Sequence, residues 1–126
     1  MAYILTSNGE IVDKYTILLI KSEKITNVDK LENIRKELYF LEPIINTQKF
    51  QKITHLLVEL KSINIYLWEM EDEIRKKEEE KSFDHEFITL ARNIYLNNDR
   101  RAAIKYQINI ATDSPLCEEK SHVLPY

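Results

Sequence analysis

The chain has 126 residues, 18 of them Lys or Arg and 21 Asp or Glu, so its formal net charge is -3 although 31% of it is charged. That size fits one soluble domain with its own core, and a pI near 5.7 weighs against a general nucleic-acid-binding surface. One Gly and three Pro exclude glycine-rich phosphate loops, and the longest apolar run, residues 17–20, is far below the roughly 20 residues of a membrane-spanning helix.

The opening residues show no basic stretch, long apolar run or small-residue cleavage site, so no secretory signal is read there and a cytoplasmic location is expected. The single cysteine, Cys117, cannot close an internal disulfide and agrees with a reducing compartment. Residues 2–6 read as a short extended segment. Ser7-Asn8-Gly9-Glu10 then has the form of a capping box, in which Ser7 caps and Glu10 reaches back. Behind it Ile11, Tyr15, Leu18, Leu19 and Ile25 recur at helical spacing, with Asp13, Lys14 and Lys21 on the surface, and predict a helix over about 8–25. Thr26-Asn27-Val28-Asp29 repeats the cap, and Leu31, Ile34, Leu38 and Leu41 carry a second helix as far as Pro43.

The clearest pattern follows, with Ile53, Leu56, Leu60, Ile63, Leu67, Met70 and Ile74 alternating steps of three and four. It predicts one helix from Thr47 to about Glu80, roughly 50 Å long, in a chain whose compact radius of gyration would be about 14 Å. Such a helix must project, pack along another long helix, or pack on a second copy. A turn at 81–84, capped by Ser82 or Asp84, leads to a fourth helix over about 84–112, on which Leu90, Ile94, Ile104, Ile108 and Ala111 share a face. From about 113 the chain reads as a tail. The predicted fold is an all-α helical bundle on a long antiparallel helical hairpin, a single domain with an extended C-terminal tail.

In such a hairpin Asn64, Trp68, Glu71, Asp72 and Arg75 form one polar stripe and Arg92, Asn98, Arg101 and Lys105 another, so acids would face bases. Arg101 or Lys105 could stack on Trp68. As a groove, this seam would hold a small anion, because guanidinium forks recognise planar oxyanions. As a sealed network, the same residues would fix the register of two helices. Glu69, Asp72 and Glu73 have the spacing of magnesium-binding carboxylates, but the facing helix offers only Glu86 and Asp99, and His55, His85 and His122 form no ligand pair. No metal and no cofactor are therefore expected, and Cys117 has no base beside it in sequence. The tail either frays or folds back and brings Glu118 or Lys120 to the seam.

Residues 9–14, 67–72, the string Asn98-Asp99-Arg100-Arg101-Ala102-Ala103-Ile104-Lys105 and the ending Glu118-Glu119-Lys120-Ser121 together resemble a bacterial domain-of-unknown-function family, number 6165, over nearly the whole chain. That resemblance implies no established activity and no catalytic residues, and a setting near genes for surface-polysaccharide glycosyltransferases. It adds weight to Asp13, Lys14, Trp68, Glu71, Asp72, Asn98, Asp99, Arg100, Arg101, Lys105, Glu118 and Lys120 as one related set. The candidate ligand-binding residues are thus Asp13, Lys14, Asn64, Trp68, Glu71, Asp72, Arg75, Asn98, Arg101 and Lys105. The expected protein is a non-catalytic binding or accessory module whose polar groove takes an anionic ligand, a phosphorylated sugar, nucleotide or carboxylate, or a charged partner segment, homodimeric, with neither nucleic acid nor membrane as partner. The alternatives are a helical-bundle enzyme acting on an anionic small molecule, with Glu71 or Asp72 moving a proton, and a purely structural interaction domain.

Overall fold

The computed structural model describes residues 1–121, so the reading of His122 falls outside the described residues. Among these there are five helices and no strand: α1 (Asn8–Lys24), α2 (Val28–Ile45), α3 (Gln48–Gln51), α4 (Thr54–Glu79) and α5 (His85–Ala111). The protein is an all-α bundle. None of its helices is long and apolar enough to cross a membrane.

Helix α1 starts at the expected cap, where the Ser7 hydroxyl accepts the Glu10 N–H at 3.2 Å. The second half of the capping box is not made, because the Glu10 carboxylate turns to Lys105 instead. The free N–H groups of this first turn are satisfied by the far end of the chain. The Asn8 N–H donates to Ser114 Oγ at 3.0 Å and the Gly9 N–H to Asn109 Oδ1 at 2.6 Å, while the Asn8 side-chain amide donates to Thr112 Oγ1 at 2.9 Å. The positive end of α1 therefore lies against the negative end of α5, a favourable meeting of helix dipoles. Gly9 makes the approach possible: a Cβ there would stand 2.5 Å from the Lys105 carbonyl oxygen.

Helix α1 packs on α2, α4 and α5 and is the centre of the bundle. One core cluster joins Val12, Ile45, Phe50, Ile53, Leu56, Leu60, Ile104 and Ile108, and a smaller one joins Leu18 with Ile34 and Leu38 under α2. Two boundaries differ from the sequence expectation. Helix α2, capped by Asn27, runs through Pro43 to Ile45. The proline forfeits only its own bond to the carbonyl of Tyr39, a residue on the exposed side. The long third helix is divided at Lys52 and Ile53 into the single turn α3 and the 26-residue α4. At the break Gln51 Nε2 donates to the Ile45 carbonyl at 2.9 Å, and Phe50 and Ile53 both enter the core beside Ile45. At 1.5 Å per residue α4 is then about 39 Å long, close to the 27-residue α5.

Helices α4 and α5 are joined through residues 80–84 and share the most extensive packing of any pair. Lys81 (φ 55°) and Asp113 (φ 52°) take the left-handed conformation that ends a helix. In both cases the following N–H reaches back five residues, Ser82 to the Lys77 carbonyl and Ser114 to that of Asn109. Asp84 caps α5 by accepting the Phe87 N–H at 3.0 Å, and the Lys77 ammonium at 3.0 Å from each of its oxygens holds the carboxyl down at about 2. Helix α5 is unbroken across Asn97-Asn98-Asp99, and Ala111, expected on its apolar face, is exposed. No residue from 71 to 96 is buried, so the outer part of the α4–α5 pair stands clear of the other helices as a two-helix arm.

Gly9→Ala would force the α1–α5 crossing apart. We expect a loss of about 1–3 kcal/mol despite the better helix propensity of Ala, read as a lower midpoint in urea unfolding.

Candidate functional site

Asp13 is the centre of the polar seam and is only 3% exposed. Sequence periodicity placed it on the surface, and the structure corrects that. Val12, Thr16 and Ile20 follow one line of α1 at steps of four, and all three are fully buried, which turns the adjacent Asp13 inward. A buried carboxylate is tolerated only when paired and hydrogen-bonded. Here Arg101 Nε donates to Oδ1 at 2.9 Å and Nη2 to Oδ2 at 2.5 Å, a two-pronged fork. Asn64, standing in the apolar stripe of α4 between Leu60 and Leu67, donates from Nδ2 to Asp13 Oδ1 and to Thr16 Oγ1, both at 3.0 Å. The Thr16 hydroxyl donates to the Asp13 carbonyl at 2.8 Å. The bonds that it donates to Asp13 push the Arg101 guanidinium above its ordinary pKa, against the opposing effect of burial.

One turn further along α5, Lys105 shares a face with Arg101 and is itself buried. Its ammonium lies 2.5 Å from Glu10 Oε1, 3.2 Å from Glu118 Oε2 and 3.9 Å from Asp13 Oδ2. The tail therefore folds back, and Lys120 completes the group by pairing with the other oxygen of Glu118. Glu118 is held below the usual carboxylate range, first by Lys120 and then by Lys105. Three acids, Glu10, Asp13 and Glu118, thus meet three bases, Arg101, Lys105 and Lys120. Among the described residues no buried side-chain polar atom lacks a partner.

The network is not sealed, because Arg101 keeps 29% of its side chain exposed. Two of its five N–H groups serve Asp13 and a third reaches Asn98 Oδ1 at 3.5 Å. Three clefts meet at this residue. The first, of about 400 Å³, is bounded by Tyr95, Asn98, Asp99, Arg101, Ala102, Lys105 and Lys120. The second, of about 340 Å³, runs between α1, α4 and α5 and is lined by Trp68, Glu71, Asp72, Arg75 and Asn98 beside Ile17, Ile20, Asn64 and Leu67. The third, of about 580 Å³, lies beside the start of α1, where Lys14 and Glu37 form an exposed ion pair at 3.2 Å.

Of the ten candidate residues, Asp13, Asn64, Arg101 and Lys105 join in one network, and Trp68, Glu71, Asp72, Arg75 and Asn98 line the second cleft around it. Lys14 is outside the network, exposed on the third cleft and paired with Glu37 of α2. Glu71 and Asp72 share the second cleft with Arg101, but among the described residues they form no ion pair with the bases of α5. Glu71 pairs with Arg75 on its own helix at 3.4 Å, and the bases of α5 turn to α1 and to the tail. For the same reason neither Arg101 nor Lys105 stacks on Trp68. Arg92 is exposed on the arm. Sequence reasoning missed Thr16 and the pairing role of Glu10, as well as the Asn8, Asn109, Thr112 and Ser114 contacts that join the two chain ends. Glu69, Asp72 and Glu73 are all exposed, and among the described residues no three His, Cys, Asp or Glu are grouped to hold a metal ion.

The model of a family described as a family of unknown function, DUF6165, matches residues 2–126 of this chain. No curated protein and no solved structure matches it.

Arg101→Ala would strand the Asp13 carboxylate in the core. We expect it to cost about 3–5 kcal/mol in chemical denaturation, and Asp13→Leu combined with Arg101→Met to recover most of that loss because no unpaired charge remains.

Proposed function

The chain belongs to the family of unknown function DUF6165, and since that membership assigns no activity, we propose from the geometry a non-catalytic binding module whose polar cleft takes an anionic ligand. One observation carries this reading: a guanidinium anchored along one edge by a buried carboxylate presents its other edge to open clefts. Anchoring removes the rotamer entropy that a free arginine would lose on binding. Asp13 offsets its charge, so Arg101 acts mainly as a fixed donor, and the 400 Å³ cleft adds the ammoniums of Lys105 and Lys120 with Tyr95 and Asn98 at its wall. Its volume suits a phosphorylated sugar, a nucleotide or a small carboxylate. We place the protein in the cytoplasm, in keeping with the free, exposed Cys117.

Thermal unfolding in the presence of a sugar phosphate, a nucleotide or succinate tests the reading. Lys120→Ala is the matching variant, because Lys120 is exposed and its loss leaves the Asp13 network intact. At a hundred times its dissociation constant a ligand adds about 2.7 kcal/mol. The expected result is a rise in Tm with at least one compound, smaller in Lys120→Ala, whereas no shift with any of them removes the proposal.

A second reading concerns the arm, where Phe83, Ile88, Tyr95 and Leu96 are exposed apolar side chains. We infer that two copies associate along these arms as a homodimer. Sedimentation at tens of micromolar should show a dimer for the native chain and a monomer for Ile88→Asp with Leu96→Asp; a native monomer at that concentration rejects this assignment.

A further inference from the structure

The first cleft is bordered by a feature that the binding reading leaves unexplained. The chain's own Glu118 carboxylate lies at 3.2 Å from Lys105 Nζ and on Lys120, which are the two ammoniums lining that cleft. An incoming anion meets a site whose cations already hold an anion on a tether.

The tether is lightly fastened. Its first residues are secured, since the Ser114 N–H donates to the Asn109 carbonyl at 2.8 Å and the Ser114 hydroxyl to the Leu116 carbonyl at 2.7 Å. Beyond Leu116 the described segment is exposed, and among the described residues its ion pair with the helices is that of Glu118 with Lys105. Glu118 keeps 40% of its side chain in solvent, a setting in which an ion pair is easily exchanged for another. Lys105 has a second partner in Glu10, so its ammonium stays neutralised when Glu118 leaves.

Resting on the binding reading above, we propose that Glu118 is an internal stand-in for the ligand's own carboxylate. The segment from Pro115 to Ser121 is then a strap that competes with ligand for Lys105 and Lys120 and is released when a carboxylate binds. The class of ligand follows from the occupant: a small carboxylate reproduces what two ammonium groups already hold. A tethered competitor at millimolar effective concentration lowers the apparent affinity until it is removed.

The test compares the native chain with Glu118→Gln and with Glu119→Gln, which removes the same charge from an exposed neighbour that makes no ion pair. Succinate and inorganic phosphate are the probes, with binding read by titration calorimetry and the strap by the mobility of a spin label on the exposed Cys117. We expect Glu118→Gln to bind succinate about tenfold more tightly than the native chain and Glu119→Gln to bind it as the native chain does. Succinate should also raise the mobility of the label in the native strap. Succinate binding of equal strength in all three proteins, or without a gain in label mobility, overturns the strap while leaving the binding module in place. Tighter phosphate binding without a change for succinate overturns the carboxylate assignment. Binding of neither probe to any of the three overturns the strap and the binding reading together.

Discussion

A carboxylate inside a helical core is the constraint on which the rest of this structure turns. Asp13 is 3% exposed, so its two oxygens must be met largely by donors from elsewhere in the chain, and the donors come from α4 and α5. Apolar contacts alone permit helices to slide by a turn at modest cost, but the two-pronged bond from Arg101 and the Asn64 amide fit only one register of three helices. The same register brings the start of α1 within reach of the end of α5, where Gly9 leaves room for the carbonyl of Lys105. The polar centre thus selects one among several apolar packings, a role known for buried polar groups in other bundles.

This division of tasks explains why the seam can be both structural and receptive. The inner edge of Arg101 and the Asn64–Thr16 pair are consumed by the fold, whereas the outer edge, with Lys105 and Lys120, meets solvent. A site built this way has a rigid floor and an adjustable rim. The rim includes Glu118 and Lys120 of the tail, so residues beyond the last helix take part in a centre whose other members lie on α1, α4 and α5.

The fold class was legible because it rests on periodicity, and α1, α2 and α5 have the beginnings that Ser7, Asn27 and Asp84 announce. Pattern failed where tertiary contact overrules it. The apolar steps continue smoothly across Lys52 and Ile53, so nothing local marks the break that lets Phe50 and Ile53 reach Ile45. Of the site, Arg101, Lys105 and Asn64 were visible as members of two polar stripes at helical spacing. Their partner Asp13 was read as surface, since charged residues usually are, although Thr16 midway between Val12 and Ile20 was a sign that polar groups face inward there. Glu10 was misassigned for a better reason: the capping box is a real local motif, but an ammonium 95 positions away competes more strongly for its carboxylate than one backbone N–H does.

The arm has a consequence of its own. Because nothing among residues 76–94 is buried or lines the clefts at Arg101, the length of the arm beyond them is uncoupled from the geometry at its foot. Matched insertions of about seven residues, two helical turns, in both α4 and α5 would preserve the face along which they meet. Such changes would move the turn outward by roughly 10 Å each while Asp13, Arg101 and Lys105 kept their places. The molecule is in this sense a fixed socket on a shaft of free length, a form in which evolution can adjust reach without retuning recognition.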